Sequence, residues 1–191
     1  MSRDDIKPSV WRGMNAPAMM SYGLNAAETF QRGEPVSVNA IGRLTESADD
    51  PAAVDLLGIA AMDGDTGNAS GLATARNRFG QFDDTQLVTT GDLIEVWIPH
   101  YLNFFETGNY SVNGVSFGST MAIPELQERA GLTLLAGVWG VDTAAANFTC
   151  RIVDFLSRNG LSIQLDTQAV GRVAVFAITN TQLQSGAASL A

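Results

Sequence analysis

The segment most suggestive of catalysis is GVSFG, Gly114 to Gly118, which matches the G-x-S-x-G pattern around a nucleophilic serine. Such a serine needs a buried strand before it and a helix after it. An acid and a histidine must then follow later in the chain. The only histidine, His100, lies upstream, and no Asp lies between it and Ser116, so the order His, Asp, Ser also fails. We therefore expect the match to be coincidental and His100 to be a structural or interface residue.

Two acidic stretches contain oxygen ligands or paired carboxylates. DGDTGN, Asp63 to Asn68, is half of a calcium loop, but Thr74 stands where the final Glu is required. A second acidic set could supply a pair of catalytic carboxylates like that of a glycosidase; it consists of Glu46, Asp49, Asp50 and Asp55. However, Asp50 followed by Pro51 is also an ordinary start of a helical turn. An ordinary turn and a solvated corner are the simpler interpretations. We expect no catalytic, cofactor-binding or metal-binding residues.

The chain has one cysteine, Cys150, which excludes an internal disulfide and a zinc site of several cysteines. In FTCRIVDF, strand alternation places Phe148, Cys150 and Ile152 on one face. We expect Cys150 to be a small buried hydrophobe rather than a reactive thiol.

The composition is that of a folded, acidic protein rich in turns. Of 191 residues, 46% are hydrophobic, 16% are charged and 19 are Gly, and the net charge is −9. Such a surface repels phosphate, so we expect no nucleic-acid partner. No stretch is long and apolar enough to span a membrane, and MSRDDIKPSVWRG lacks the apolar core of a signal peptide. We expect synthesis in a cytoplasm and no membrane partner.

From Phe30 onward, the pattern predicts short β-strands separated by turns. Gly42 and the pair Asn159-Gly160 mark the clearest turns. The segments expected as strands are PVSVNAIGRL, LLGIAAM, DLIEVWIP, LTLLAGVWGVD, FTCRIVDFL, LSIQLD and RVAVFAITN. The clearest helical piece is PELQERAG, with Pro124 first and Gly131 as its end. The predicted fold is all-β: an antiparallel β-barrel or sandwich with an irregular N-terminal arm and one short helix.

Three regions are predicted: an extended N-terminal arm at 1–28, the β-domain at 29–183 and a loose tail at 184–191. The arm lacks helical and strand periodicity but is rich in aromatic and Met side chains, which often anchor interfaces. It lies either on a neighbouring protein or on its own domain. If it docks to a partner, its deletion is expected to leave the fold intact and abolish attachment. The expected docking residues are Trp11, Met14, Met19, Met20 and Tyr22.

A second docking candidate is the loop GNYSVNGVSFGST, which is rich in Gly, Asn and Ser and is inserted between strands. Loops of this composition often carry contacts because the rigid scaffold positions them. The residues expected to touch a partner here are Asn109, Tyr110 and Phe117.

The segment F..GEPV.....GRL.......AVDLLGIAAMDGDTG, Phe30 to Gly67, resembles the first hairpins of small capsid decoration (cement) proteins of tailed bacteriophages. GDLIEVWIP and GRVAVFAIT resemble their middle and final strands. The resemblance covers about half of the chain, and the stretch from Tyr101 to Gln164 departs from it. Each matching motif consists mostly of strand and turn residues.

The resemblance implies a β-barrel-like structural protein without enzymatic activity. It would bind the major capsid protein on the outside of the virion, as a trimer or dimer, and stabilise the lattice. One alternative is another virion subunit, such as a head-fibre base, a neck protein or a tail protein. Another is a soluble ligand-binding or carbohydrate-processing β-domain. That function would require a pocket lined by carboxylates or by Trp97 and Trp139.

Overall fold

The protein is an all-β sandwich of two sheets rather than a closed barrel, as seen in a computed structural model. The structure describes residues 6–9, 17–64, 90–100, 103–157, 159–165, 171–179 and 181–185. The predicted all-β class is therefore confirmed, and of its two forms the structure is consistent with the sandwich. No helix among the described residues is long and apolar enough to cross a membrane.

The larger sheet has seven strands and is antiparallel except at one edge, where its last pair runs parallel. Its strands, in spatial order, are β1 (Lys7–Ser9), β7 (Phe104–Thr107), β12 (Val173–Ile178), β11 (Cys150–Leu156), β9 (Arg129–Leu135), β10 (Val138–Asp142) and β8 (Tyr110–Ser111).

The smaller sheet has five antiparallel strands. In spatial order they are β2 (Ala18–Gly23), β6 (Leu93–Ile98), β5 (Gly58–Ala60), β3 (Pro35–Val38) and β4 (Leu44–Glu46). The strand β2 therefore lies at one edge of this sheet and β4 at the other.

Two hydrophobic cores lie on the two faces of the five-stranded sheet. The first lies between the sheets, where Ile59 and Trp97 meet side chains of the larger sheet, including the edge-to-face pair Tyr110 and Phe155. The second lies on the opposite face and contains Val36, Leu44, Ile94 and Val96, covered by Leu24 and Phe30. Because both faces are covered, all three residues of β5, within the expected strand LLGIAAM, are buried.

The two predicted turns are present. Gly42 has φ +77° and donates its N–H to Asn39 O at 2.9 Å, closing the β3–β4 hairpin. Gly160 has φ +74°, and the turn is closed by Ser157 N–H bonded to Leu161 O at 2.8 Å. Both positions require the left-handed backbone that glycine adopts without strain. Beyond the second turn, the described part of LSIQLD forms a bridge at Ser162 rather than a strand.

The predicted helix at PELQERAG is reduced to one 3₁₀ turn, Ile123–Glu125, in which Glu125 Oε2 accepts the N–H of Ala122 at 3.1 Å. The chain then leaves the helical region, because Gln127 has φ +70°. Residues from Arg129 onward belong to β9, so Gly131 is a strand residue and not a helix end. Burial of alternate β9 side chains in the first core outweighs the local helical preference.

The described part of the predicted arm contributes one strand to each sheet. β1 pairs with β7, and β2 pairs with β6 over six residues. Ile6 is buried in the first core and Leu24 in the second. This agrees with an arm that packs on its own domain, and a deletion of residues 2–27 would remove both of these paired strands. Residues 10–16, including Trp11 and Met14, lie outside the described residues.

The boundary predicted for the tail falls inside a short helix, α1 (Gln182–Ser185). Gln182 extends the five-stranded sheet: its side-chain amide donates to Val38 O at 3.2 Å and accepts from Val38 N–H at 3.0 Å. Residues 186–191 lie outside the described part of the chain.

Candidate functional site

The main candidate site is β2, the exposed edge strand of the five-stranded sheet. Residues 18–21 are all exposed, so both faces of this part of the strand are open, and Met19 and Met20 are 55% and 47% exposed. Among the described strands β2 pairs only with β6, and just beyond its end Leu24 bridges to Leu44 of β4, so the edge that the described strands leave unpaired is that of residues 18–23. Leu93 adds an exposed apolar side chain opposite Gly23. Two of the predicted docking residues therefore lie together on an open strand edge.

The strand AMMSYG contains no charged residue and no proline. Native proteins usually protect an edge strand with charges, proline or a covering segment, because unpaired N–H and C=O groups attract other strands. β2 has neither of the first two protections. Its sequence is suited to pairing with a strand of another protein.

Tyr22 is the remaining predicted docking residue of the arm that the structure describes. It is half-buried against the second core. Burial raises its pKa above the usual value. Its hydroxyl donates to Met20 Sδ at 3.8 Å. Tyr22 therefore helps to orient Met20 at the open edge and exposes less of its own surface to a partner.

The second predicted docking element, the loop from Asn109 to Ser119, is an ordered surface loop. Asn113 Oδ1 accepts N–H bonds from Val115 at 3.0 Å and Ser116 at 3.3 Å. Asn109 Nδ2 donates to Trp139 O at 2.9 Å. Most residues of the loop, including Val115, are exposed. The loop thus presents a fixed surface.

Tyr110 differs from the expectation that it contacts a partner. Tyr110 is fully buried and packs edge-to-face on Phe155 at 5.1 Å between ring centroids, and burial raises its pKa. Its strand alternation with Ser111 places the ring in the first core, so it has no exposed surface for a partner. Phe117 is half-buried, and its ring lies over Gly140. It fastens the loop to the sheet.

The residues considered for catalysis do not converge in the described structure. GVSFG lies in the exposed loop after β8, with Gly114 and Gly118 at positive φ, and not between a strand and a helix. His100 follows the end of β6. Asp63 Oδ1 accepts the N–H of Arg32 at 2.7 Å, and the rest of DGDTGN after Gly64 lies outside the described residues.

The acidic corner makes structural hydrogen bonds to the larger sheet. Asp49 Oδ1 accepts the N–H of Leu134 at 2.8 Å, and Asp50 Oδ2 accepts that of Ala146 at 2.8 Å. Glu46 Oε2 instead accepts the hydroxyl of Thr29 at 3.3 Å. Within the described ranges, no group of three or more His, Cys, Asp or Glu side chains is arranged to hold a metal ion.

The pocket required by the ligand-binding alternative is not formed by the two tryptophans, because Trp97 and Trp139 are buried in the first core. Sequence reasoning did not identify a depression of about 310 Å³ that is lined by Arg129, Phe148, Cys150, Arg151 and Thr179.

Cys150 is buried, as predicted, and burial raises the pKa of its thiol to about 12. Phe148 precedes β11 and is exposed, so it does not share the buried face of Cys150 and Ile152 as expected. A thiol with this pKa carries almost no thiolate near neutral pH, which agrees with a packing role.

The sequence matches no protein-family model, and no curated protein matches it.

Proposed function

We propose that this chain is a non-enzymatic virion structural protein that binds the outer surface of a tailed-bacteriophage capsid lattice and stabilises it, as a decoration or cement protein. The resemblance of Phe30–Gly67 to that family motivates the proposal. The observation that carries it is the open edge of β2, with Met19 and Met20 exposed on an uncharged strand.

The β2 edge offers two kinds of contact to the major capsid protein. Its main chain can add to a strand of the partner, which provides hydrogen bonds along the edge. Its Met side chains are unbranched and polarizable, so they adapt to an apolar surface. Since a specific contact usually buries on the order of 800 Å² per partner, the edge needs support from neighbouring surface such as Leu93.

Repetition would strengthen a contact of modest affinity. If the protein is a dimer or trimer, several β2 edges bind one lattice together, and the second contact forms at a high effective concentration. The net charge of −9 keeps a concentrated acidic protein soluble before it attaches. We place the protein on the capsid exterior, with the major capsid protein as its partner.

The direct test is co-sedimentation of the purified protein with capsids that lack it. We compare the wild type with Met19→Ser/Met20→Ser and with the control Ile41→Ser/Val54→Ser. The control side chains lie outside β2. Val54 is 48% exposed, which is nearly the same exposed fraction as that of Met20. We expect the Met variant to lose at least tenfold in capsid binding with unchanged thermal unfolding, and the control to bind normally. Equal binding by both variants would exclude the β2 edge as the docking site.

Copy number separates the proposal from its alternatives. Quantitative mass spectrometry on particles from the source gives the ratio of this chain to the main shell protein. A ratio near one, or a simple fraction of one, supports a lattice-wide decoration protein. A few to a few dozen copies per particle would indicate a head-fibre base, neck or tail subunit. Absence from particles would contradict a virion role and favour the ligand-binding alternative.

A further inference from the structure

Two arginines stand side by side on neighbouring strands of the larger sheet. Arg151 in β11 and Arg129 in β9 are register partners. Cys150, which precedes the first, and Ala130, which follows the second, are buried in the first core. Because side chains alternate along a strand, both arginines project from the opposite face, where both are exposed. Directly opposed residues have Cβ atoms about 4.5 to 5.5 Å apart, so the two guanidinium groups can reach one bound group.

The guanidinium group of Arg151 is held in place by the main chain. Its Nε donates to Gln127 O at 3.1 Å. Gln127 has φ +70° and belongs to a bulge, in which its own N–H and the carbonyl of Glu128 both bond to Ile152. Bulges of this kind often direct a side chain at a functional site. The bond to Nε leaves the Nη groups of Arg151 for another acceptor.

Neither arginine is neutralised by the described residues. No carboxylate in the described ranges forms an ion pair with Arg129 or Arg151, and the side chain of Arg129 makes no hydrogen bond there. Asp50 lies over Gly131, two residues further along β9, but it accepts the N–H groups of Ala146 and Asn147 instead. Like charges that are directly opposite each other destabilise a pair of strands. A bound anion would offset this repulsion.

The two arginines line the depression of about 310 Å³ together with an aromatic side chain. Phe148 is 48% exposed and lines the same depression. The volume lies at the lower end of the range for small-molecule sites, about 300 to 1,000 Å³. The depression therefore has space for an anionic group at the arginines and for an apolar group beside the ring of Phe148.

We propose that Arg129 and Arg151 bind the phosphate group of a small organic phosphate monoester, whose apolar substituent packs on Phe148. Guanidinium groups match phosphate and carboxylate oxygens in geometry. A phosphate monoester has a charge of about −1.5 to −2 at pH 7 and three acceptor oxygens, which suits two guanidinium groups. A carboxylate, with one charge and two oxygens, balances only one of them.

The rest of the surface favours a small anion over a large one. The net charge of −9 repels a long polyanion such as nucleic acid, whereas a single phosphate group is held by the local pair of positive charges. No spacing motif in the sequence connects Arg129 with Arg151, since only the pairing of β9 with β11 brings them together. This inference does not depend on capsid binding.

The test is titration of the full chain at pH 7 and about 10 mM NaCl, followed by the NMR signals of the arginine Nε–H groups. The probes are phenyl phosphate, inorganic phosphate and benzoate. For phenyl phosphate we expect a Kd on the order of 1 mM, because exposed charges contribute little each. Benzoate is expected to bind at least about tenfold more weakly, because it offers less charge and fewer oxygens.

The site variants are Arg129→Gln and Arg151→Gln, and the matched control is Arg172→Gln. Arg172 is exposed and precedes β12, whereas Thr179 of the depression follows that strand, about 20 Å away along the chain. We expect each site variant to bind phenyl phosphate about tenfold more weakly and the control to bind it normally. An equal loss in the control would mean that phosphate only screens the surface charge.

Phe148→Ala tests the apolar part of the site. We expect it to reduce the affinity for phenyl phosphate to that for inorganic phosphate and to leave inorganic phosphate binding unchanged. Equal affinities of the two phosphates in the wild type would contradict a monoester as the ligand. Benzoate binding as tight as that of phenyl phosphate, or no binding of phenyl phosphate, would overturn the phosphate site. If Arg151→Gln does not fold, Arg129→Gln decides, because the side chain of Arg129 makes no bond that the change would break.

Discussion

Asp50 and Asn147 are bonded to each other through both main-chain and side-chain groups. The N–H of Asn147 donates to the Asp50 carboxylate at 3.1 Å, and Asn147 Nδ2 donates to Asp50 O at 2.7 Å. Asp50 lies just after β4 in the smaller sheet, and Asn147 lies between β10 and β11 in the larger one. The pair therefore joins the two sheets at one corner of the sandwich.

Replacement of Asp50 is expected to weaken this connection. Asp50→Ala removes a carboxylate that accepts the N–H groups of Ala146 and Asn147, and it places Ala at φ +49°. We expect a loss of about 2 to 4 kcal/mol in the free energy of unfolding, measured with urea. The control Asp55→Ala removes an exposed carboxylate and should change stability little. Similar losses in the two variants would show that the connection contributes nothing.

Deletion of residues 2–27 is expected to destroy the native fold. The deletion removes β1, β2 and the buried side chains of Ile6 and Leu24, and it leaves β6 and β7 without their neighbours. Thermal unfolding followed by near-UV circular dichroism should lose its cooperative transition. A truncated chain with the Tm of the full chain would contradict the role of both strands.

Gly140→Ala is expected to disturb the loop that begins at Asn109. A Cβ at Gly140 would lie 2.6 Å from Asn109 O and 2.6 Å from Phe117 Cε1. The loop must move away from β10, so we expect a loss of about 1 to 3 kcal/mol in the free energy of unfolding. Gly23→Ala is the matched control, since its Cβ would meet only Gly91 O, at 3.8 Å. Equal free energies of unfolding in the two variants would mean that the loop can move away from β10 without loss of stability.

Cys150 is expected to make stability fall in alkaline solution. Burial raises the pKa of the thiol from 9.0 to about 12. Between these values the folded state holds a proton that the unfolded state has released, so stability falls by about 1.4 kcal/mol per pH unit above pH 9. Urea midpoints at pH 8, 9.5 and 10.5 should fall less in Cys150→Val than in the wild type. Parallel curves would show that the thiol does not titrate on unfolding.

Strands with strong local signals could be predicted from the sequence. β3 and β4 are joined at a glycine that needs positive φ, and β5 is an apolar run short enough for a strand buried on both faces. The strands β1 and β2 could not be predicted, since their sequences KPS and AMMSYG lack the alternation of apolar and polar residues that is typical of a strand. They become strands because two distant strands offer free edges: β7, about 97 residues further along the chain from β1, and β6, about 75 residues from β2.

The candidate site was predictable only in part. Because methionine side chains often lie in interfaces, the sequence alone suggested Met19 and Met20 as docking residues. Their location on an edge strand follows only from the pairing of β2 with β6. Tyr110 was misjudged because a loop rich in Gly, Asn and Ser follows it, while alternation within β8 turns its ring inward.

The pairing of β1 with β7 also affects how the chain folds during synthesis. Ser9 and Phe104 are register partners, so β1 leaves the ribosome long before its neighbour exists. At about 5 to 20 residues per second, β1 waits for at least roughly 5 to 20 s. β2 waits nearly as long for β6. The strand β2, whose edge is unpaired by described strands in the finished protein, thus also lacks its neighbour β6 for much of synthesis, and it is a segment through which nascent chains would associate with one another.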